Sequence, residues 1–233
     1  MNLLIITGAS RGIGKATAKL FLDHSYKVVN ISRTPCPLEG IVNIPVDLAC
    51  FDEKALEGLD SILDEASQIT LIHNAFRLEK DRVDNAKALR EVLAVNIEAP
   101  AKLNALIIPK MLAKEKSGHS ILYVGSTLSE KAVPKAFSYV TTKHAMAGMM
   151  KAGCQDMMGK GVHTALICPG FTDTEMLRDH AGLDENILRS MAQTNSYGRL
   201  IRPQEIAETL LFSATHPVVN GSVLHVNLGQ REI

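Results

Sequence analysis

A tyrosine and a lysine four positions apart, Tyr139 and Lys143, lie in a helical pattern that runs from Phe137 to Gly159. This spacing places the phenol and the ammonium on one face of a helix. A phenol is a poor acid or base at neutral pH, but a nearby cation favours the phenolate and lowers its pKa. Ser126 lies thirteen residues before the tyrosine, at the carboxyl end of the apolar run Ser120–Gly125, and ligands bind at this edge of an open α/β sheet. The three residues therefore favour acid–base chemistry by the phenol; the alternative is a chance pair of a half-buried tyrosine and a lysine that extends to solvent.

A glycine-rich turn near the start of the chain is the second feature with chemical meaning. The apolar run Leu3–Thr7 leads into Gly-Ala-Ser-Arg-Gly-Ile-Gly and then directly into a helical pattern. Such glycines permit a tight turn and close approach of the backbone to a pyrophosphate, which the free N–H groups of the helix N-terminus can bind. The alternative is a turn that needs glycine for backbone reasons alone. The residues assigned to dinucleotide binding here are Gly8, Ser10, Arg11, Gly12, Ile13 and Gly14.

The end of the second apolar run indicates which dinucleotide is bound. Sites for NAD commonly place an acid about 20 residues beyond the glycine loop, where it binds the ribose 2′-hydroxyl. The stretch Val29–Thr34 contains no carboxylate. Ser32 can donate a hydrogen bond to a 2′-phosphate instead, and Arg33 and Arg11 can form ion pairs with it. The sequence therefore predicts a preference for NADP(H) over NAD(H), with a solvated role for Arg33 as the alternative.

The elements that must position these residues are short apolar runs alternating with longer amphipathic stretches. Continuous apolar strands are typical of a parallel sheet covered on both faces. Their alternation with helices predicts a doubly wound α/β fold of Rossmann type, with about seven strands in three α/β/α layers. The predicted strands are Leu3–Thr7, Lys27–Ser32, Ile41–Val46, Ile69–Asn74, Ser120–Gly125, Val162–Cys168 and Ser222–Val226. The predicted helices are Ile13–His24, Asp52–Ser67, Asp84–Lys114, Phe137–Gly159 and Pro203–Ala214.

Composition limits the classes of protein that fit. The 233 residues show no repeat or linker, so we expect one domain, 1–233. Lys+Arg and Asp+Glu both total 25, which argues against a protein that binds nucleic acid or a membrane surface through excess positive charge. No apolar run is long enough for a signal peptide or a membrane span. Four cysteines without CxxC spacing indicate free thiols in the cytoplasm, and the eight histidines predict no metal site.

In their order and spacing, these motifs resemble the short-chain dehydrogenase/reductase family over nearly the whole chain. The resemblance implies that Tyr139 donates a proton to a carbonyl oxygen or removes one from an alcohol. It also implies that Lys143 lowers the pKa of Tyr139 and holds the nicotinamide ribose, so both residues also contact the cofactor, and that Ser126 orients the substrate oxygen. Asn96 matches the asparagine that anchors a relay water. Because Pro100 has no N–H, the carbonyl of residue 96 loses its usual helical partner and can accept from that water; a surface asparagine beside a proline kink is the alternative.

Further cofactor contacts follow from the resemblance alone. The segment Pro169–Thr174 resembles the family's contact with the nicotinamide carboxamide, and Asp47 matches the acid that receives the adenine. The loop after the fourth run keeps Asn74 and Ala75, but Phe76 stands where the family has a glycine that lets the adenosine side of the cofactor pass. We expect the loop to bend differently or the ring to point away. The residues assigned here are Asp47, Asn74, Ala75, Pro169, Gly170, Thr172 and Thr174.

The resemblance also implies a substrate lid and an oligomer. The segment 175–199 has no definite helix or strand pattern and is expected to cover a small carbonyl or alcohol substrate. A methionine stripe on the tyrosine helix is either core packing or a subunit interface of a homodimer or homotetramer. The methionines concerned are Met146, Met149, Met150, Met157 and Met158.

The function predicted from these residues is that of a cytoplasmic, NADP(H)-dependent oxidoreductase similar to a carbonyl reductase, which uses Tyr139 as general acid or base. A first alternative is a catalytically silent regulatory or scaffold protein with the same nucleotide-binding fold, for which the altered loop at Phe76 is the support. A second is a nucleotide-sugar epimerase or dehydratase, although such relatives are longer and carry an added substrate domain.

Overall fold

The computed structural model describes residues 1–115 and 118–230 and contains one parallel sheet of seven strands in the order β3-β2-β1-β4-β5-β6-β7. The predicted doubly wound fold is therefore confirmed. All seven predicted strands are present, and no strand end differs from its predicted position by more than one residue. The strands are β1 (Asn2–Thr7), β2 (Lys27–Ser32), β3 (Ile41–Pro45), β4 (Gln68–His73), β5 (His119–Val124), β6 (Val162–Pro169) and β7 (Ser222–Val226).

Helices cover both faces of the sheet. Successive side chains of a strand point to opposite faces, so Leu3 and Ile5 belong to one core cluster while Leu4 and Ile6 belong to the other. Both clusters are fully enclosed, which explains why the strands read as continuous apolar runs. The helices are α1 (Gly12–Asp23), α2 (Leu59–Glu65), α3 (Leu89–Leu93), α4 (Ala99–Leu112), α5 (Phe137–Asp156), α6 (Glu175–His180), α7 (Glu185–Ala192) and α8 (Pro203–Thr215).

Two predicted helices differ from the structure. The helix predicted over Asp52–Ser67 is divided into a 3₁₀ turn, Glu53–Leu56, and the shorter α2. Gly58 separates them with φ of +89°, a left-handed conformation that an α-helix cannot continue through. The helix predicted from Asp84 begins only at Leu89, after an irregular loop.

The segment 175–199, which the sequence pattern left without a definite element, contains α6 and α7. Each helix begins at a side-chain cap: Thr174 accepts a hydrogen bond from the N–H of Leu177, and Asp184 from that of Asn186. These caps are local start signals for short helices. The segment that is expected to form a lid therefore contains two short helices.

The methionine stripe on α5 packs mainly into the core. Met146 and Met150 are fully buried, Met157 is nearly so, and Met149 packs against the same core cluster. Met158 lies beyond the end of the helix and is 71% exposed. Core packing therefore accounts for four of these side chains.

A continuous helical run, Leu89–Leu112, joins α3 to α4 through a π turn. Its 24 residues, with a mean hydropathy of 1.3, are long and apolar enough to cross a membrane by length and composition alone. A core helix meets the same criterion, and Leu103, Ile107 and Met111 of this run are buried against the sheet. The run therefore occupies the position of a core helix in this fold.

Leu103→Ala tests the packing of α4. Leu103 is fully buried in the cluster that contains Leu3, so we expect its truncation to lower the free energy of unfolding by about 2–5 kcal/mol. Leu112→Ala is the matched control on the same helix; Leu112 is 41% exposed, so a loss below about 1 kcal/mol is expected. Urea unfolding measures both. Equal losses would contradict this packing.

Candidate active site

Ser126, Tyr139 and Lys143 meet at the carboxyl end of β5. Ser126 follows the strand and caps a short 3₁₀ turn, where its hydroxyl accepts a hydrogen bond from the N–H of Leu128 at 3.1 Å. The same side chain hydrogen-bonds Tyr139, which lies in the first turn of α5. Lys143, one turn further on, is fully buried and donates from Nζ to the carbonyl of Val124 at 2.7 Å. The structure therefore brings the three predicted catalytic residues together.

Burial controls the ionisation of this pair. It raises the pKa of Tyr139 to about 12, against the smaller lowering effect of the hydrogen bond with Ser126. It also lowers the pKa of Lys143 to about 7. The sequence predicted that the lysine lowers the tyrosine pKa, but Nζ lies 5.5 Å from the centre of the Tyr139 ring and bonds to a backbone carbonyl. Desolvation consequently dominates, and Tyr139 holds its proton at neutral pH.

Asn96 lies fully buried in the π turn Ala94–Glu98, so the alternative of a surface asparagine is wrong. The turn is a π turn because the N–H of Ala99 bonds to the carbonyl of Ala94, five residues back. The Asn96 side chain accepts from the N–H of Arg77 at 2.7 Å and donates to the carbonyl of the same residue at 3.1 Å. It also donates to Oγ1 of Thr142 at 2.9 Å. Asn96 therefore joins the loop after β4 to α5.

The glycine loop has the shape predicted for a phosphate site. Gly8 and Gly12 have φ of +73° and +53°, and a Cβ on Gly14 would lie 2.2 Å from the carbonyl oxygen of Gly8. The close packing of α1 on the loop thus requires glycine at position 14. The first-turn N–H groups of α1 have no acceptor within the helix, and no acidic residue occupies that turn. The loop fits the pyrophosphate of a dinucleotide.

Polar side chains from both neighbouring strands hold this loop. Thr7 Oγ1 accepts hydrogen bonds from the N–H groups of Asn74 and Ala75 at 3.0 Å. Asn74 donates to the carbonyls of Thr7 and Gly8 at 3.0 and 2.9 Å. Asn30 of β2 accepts from the N–H of Ala9 at 2.9 Å. Asn74 is therefore a support of the loop. The sequence interpretation missed Thr7 and Asn30, although a polar residue inside an apolar run was the available signal.

The two residues at the end of β2 that could bind a 2′-phosphate differ in whether their side chains already have partners. The Ser32 hydroxyl donates to the carbonyl of Thr34 at 2.7 Å and also bonds Asn30, so it already has partners. The Arg33 side chain is exposed and has no hydrogen bond or ion pair to any residue of 1–115 or 118–230. Of the two residues, Arg33 is the one whose side chain is available for a ligand.

Two further predicted residues have partners elsewhere in the chain. Arg11 lies 3.6 Å from Asp179 of α6 in an ion pair whose side chains are both more than half exposed. Asp47 is exposed and accepts from the N–H of Ala49 at 2.9 Å, which caps a 3₁₀ turn. Arg11 therefore links the glycine loop to α6, and Asp47 shapes the loop after β3.

The segment after β6 connects the edge of the sheet to α6. Pro169 is the last residue of β6, and Thr172 is buried with its hydroxyl donating to the carbonyl of Gly170 at 3.1 Å. Thr174 caps α6 and lies against the glycine loop, since a Cβ on Gly12 would approach its methyl group to 3.1 Å. The segment thus places α6 beside the glycine loop.

Phe76 lies against the side chains of Lys143 and Tyr139. Its ring centre is 4.6 Å from Nζ of Lys143 and 5.7 Å from the centre of the Tyr139 ring. The expectation from the sequence concerned the adenosine side of the cofactor. The structure instead brings the substituted position into contact with Tyr139 and Lys143, the two residues for which the sequence predicts proton chemistry.

Other chemistry is not indicated at this edge. Among the residues that the structure describes, no three histidine, cysteine or acidic side chains are grouped so that they could hold a metal ion. The four cysteines are free thiols. Cys168, at the end of β6, is buried, which raises the pKa of its thiol.

A doubly wound sheet that carries, at one edge, a glycine loop and a partly exposed serine beside a buried tyrosine and lysine is typical of nicotinamide-dependent dehydrogenases and reductases. A family model described as short chain dehydrogenase matches residues 2–182. The chain therefore belongs to the short-chain dehydrogenase family, whose members are oxidoreductases that bind nicotinamide cofactors.

Known relatives resemble the chain over nearly its whole length. It is 27% identical to carbonyl reductase family member 4 of Xenopus tropicalis, over 96% of this chain and 95% of that protein. It is also 27% identical to 3-oxoacyl-(acyl-carrier-protein) reductase FabG of Vibrio cholerae, over 98% and 96% respectively. Among solved structures, the aldohexose dehydrogenase of Thermoplasma acidophilum is 26% identical with a TM-score of 0.89, over 98% of this chain and 93% of that one.

Gly14→Ala tests the glycine loop. The added Cβ cannot be accommodated 2.2 Å from the Gly8 oxygen, so the loop must shift and we expect the Kd for NADPH or NADH to rise about tenfold or more. Gly148→Ala is the matched control, because a Cβ at this exposed position of α5 meets no atom within 4 Å. That variant should bind normally and gain about 0.5–1 kcal/mol in stability. Calorimetric titration and thermal unfolding check both; an unchanged Kd in Gly14→Ala would disprove the assignment.

Proposed function

We propose that this protein is an NADP(H)-dependent oxidoreductase that interconverts a carbonyl compound and an alcohol, with Tyr139 as general acid and base. The observation that carries the proposal is the contact of Tyr139 with Ser126, beside the buried Lys143, at the sheet edge that also bears the glycine loop. The nicotinamide supplies or accepts the hydride when it is bound. The chain itself binds and orients the substrate and the cofactor, and it moves the proton.

The proton comes from Tyr139 in the direction of reduction. Burial keeps its hydroxyl protonated at neutral pH, so the group is an acid ready to donate to an oxygen that gains negative charge. The Ser126 side chain lies beside the Tyr139 hydroxyl, to which it is hydrogen-bonded, and it can orient the same substrate oxygen. In the direction of oxidation, Tyr139 must accept the proton, and a protonated Lys143 nearby favours the phenolate.

Asn96 holds two segments next to Tyr139 and Lys143 in place. Its side chain fixes the backbone of Arg77 and bonds Thr142, the residue before Lys143. We assign to its main-chain carbonyl, in the π turn ahead of Pro100, the binding of a water that relays protons to Lys143. The π turn supports this role because irregular helical turns leave backbone groups available for such partners.

Carbonyl and alcohol substrates are supported by what the relatives do. The Xenopus and Vibrio proteins are named as reductases of carbonyl and 3-oxoacyl groups, and the Thermoplasma protein as a dehydrogenase of aldohexoses. The lid α6–α7 is the segment we expect to select among such substrates. Arg178 holds it in shape by bonding Asp173 through two nitrogens, at 2.7 and 3.1 Å, and Glu185 at 3.2 Å. A catalytically silent scaffold is not favoured, because the full serine–tyrosine–lysine set is present and in contact.

Tyr139→Phe removes the proton and keeps the ring. We expect kcat for reduction of a ketone or aldehyde found by screening to fall about 10²–10⁴-fold, while the Kd for NADPH stays within about twofold. Tyr26→Phe is the control, because this tyrosine packs on Phe21 and directly precedes β2, at the amino end of the sheet, opposite the edge that bears the site. Steady-state kinetics and calorimetry measure the two quantities. Full activity in Tyr139→Phe would refute the assigned role.

Arg33→Asp tests the preference for NADP(H). If Arg33 pairs with the 2′-phosphate, a charge-assisted bond is replaced by repulsion, and the Kd for NADPH should rise about 10- to 150-fold. The Kd for NADH, which lacks that phosphate, should change little. Lys151→Asp makes the same charge reversal at an exposed position of α5 and should leave both constants unchanged. Equal loss for both dinucleotides, or no loss, would exclude this placement of Arg33.

A further inference from the structure

The position of the Phe76 ring is set by its two neighbours in the chain. The N–H of Ala75 donates to Thr7 Oγ1 at 3.0 Å, and the N–H of Arg77 donates to the Asn96 side chain at 2.7 Å. Both anchors are buried side chains. The backbone on either side of Phe76 is therefore tied to β1 and to the π turn, which directs the ring toward α5.

The ring forms part of the immediate surroundings of a buried ammonium. Lys143 Nζ has three N–H donors and makes one strong hydrogen bond, to the carbonyl of Val124 at 2.7 Å. The thioether of Met146 lies at 3.9 Å, and the Phe76 ring centre at 4.6 Å. A desolvated cation is stabilised by an aromatic face in this position. Phe76 thus supplies part of the stabilisation that water gives to an exposed lysine.

Phe76 is the most exposed of the groups that contact the ammonium. Lys143 is fully buried, whereas Phe76 is partly exposed. The other groups that face Nζ come from within the fold: Val124 from β5, the Tyr139 and Met146 side chains from α5 itself, and the buried Cys168 from β6. Phe76 is therefore the neighbour of Lys143 that is most accessible to a molecule approaching from solvent.

We propose that Phe76 is a cap over Lys143 that determines the affinity for the nicotinamide half of the dinucleotide, because its ring must leave the ammonium before a ligand hydroxyl can reach it. The inference rests on the proposed function, in which Lys143 holds the nicotinamide ribose. It assigns to Phe76 no effect on the adenosine half. The ring and the ligand hydroxyl compete for the same cation, so removing the ring removes a cost of binding.

The test compares a whole dinucleotide with a fragment that lacks its nicotinamide half. NADPH and adenosine 2′,5′-bisphosphate form one pair of ligands, and NADH and ADP form the parallel pair. In Phe76→Ala we expect the Kd for the whole dinucleotide to fall by about 2- to 30-fold, the range that corresponds to one cation–π contact. The Kd for the fragment should stay unchanged. Calorimetric titration measures the Kd for each of the four ligands.

Two matched variants isolate the aromatic face. Phe76→Tyr keeps the face and should behave like the wild type for both kinds of ligand. Phe212→Ala removes a phenyl ring from α8, where Phe212 is stacked on His216 at 4.3 Å, and should change neither affinity.

A fluorescence measurement tests the movement of the ring directly. The chain contains no tryptophan, so Phe76→Trp introduces a single indole at the cap. We expect its emission to shift when NADP⁺ is added and to stay constant with adenosine 2′,5′-bisphosphate. This readout needs no substrate and remains informative if Phe76→Ala does not fold.

The outcomes separate this inference from the function on which it rests. Equal changes for dinucleotide and fragment would show that Phe76 acts on the adenosine side and would overturn the cap. An unchanged or weaker dinucleotide affinity in Phe76→Ala, or a constant indole emission from Phe76→Trp with bound NADP⁺, would also overturn it. Failure of every form, wild type included, to bind any of the four ligands would refute the proposed function itself.

Discussion

The full burial of the Lys143 ammonium is the constraint on which this site depends. An unpaired charge in a protein interior costs several kcal/mol, so groups must be brought to it from several elements. Val124 provides a carbonyl at the end of β5, and α5 must begin close to that strand for the two to meet. The same closeness places Tyr139 beside Ser126 in the turn that follows β5. Burial of Lys143 and the contact of Tyr139 with Ser126 are therefore one structural requirement.

The glycine loop depends on strand order in a comparable way. Because β1 lies between β2 and β4 in the sheet, polar groups can reach its carboxyl end from both sides. Asn30 comes from one neighbour and Asn74 from the other, and both bond the backbone of the loop. The loop backbone is fixed without consuming the N–H groups at the start of α1. A phosphate site of this kind needs rigid support with free donors, and the sheet order supplies both.

Elements with a strong local signal could be predicted from the sequence, and contacts between distant residues could not. The strands were found because both faces are covered, which makes each run continuously apolar. The break at Gly58 and the caps at Thr174 and Asp184 are local signals whose significance appears only once the helix ends are known. The Ser126, Tyr139 and Lys143 set followed from spacing. The raised tyrosine pKa did not, because it depends on how deeply the tertiary structure buries the phenol.

The substitution at position 76 shows how a local departure changes its meaning once the fold is known. By sequence, a phenylalanine in place of glycine concerned only the path of the cofactor. In the structure, the backbone on either side of Phe76 is anchored at Ala75 and Arg77, and the centre of the ring lies 4.6 Å from Nζ of Lys143. The residue that departs from the family pattern thus packs against the buried ammonium on which this site depends.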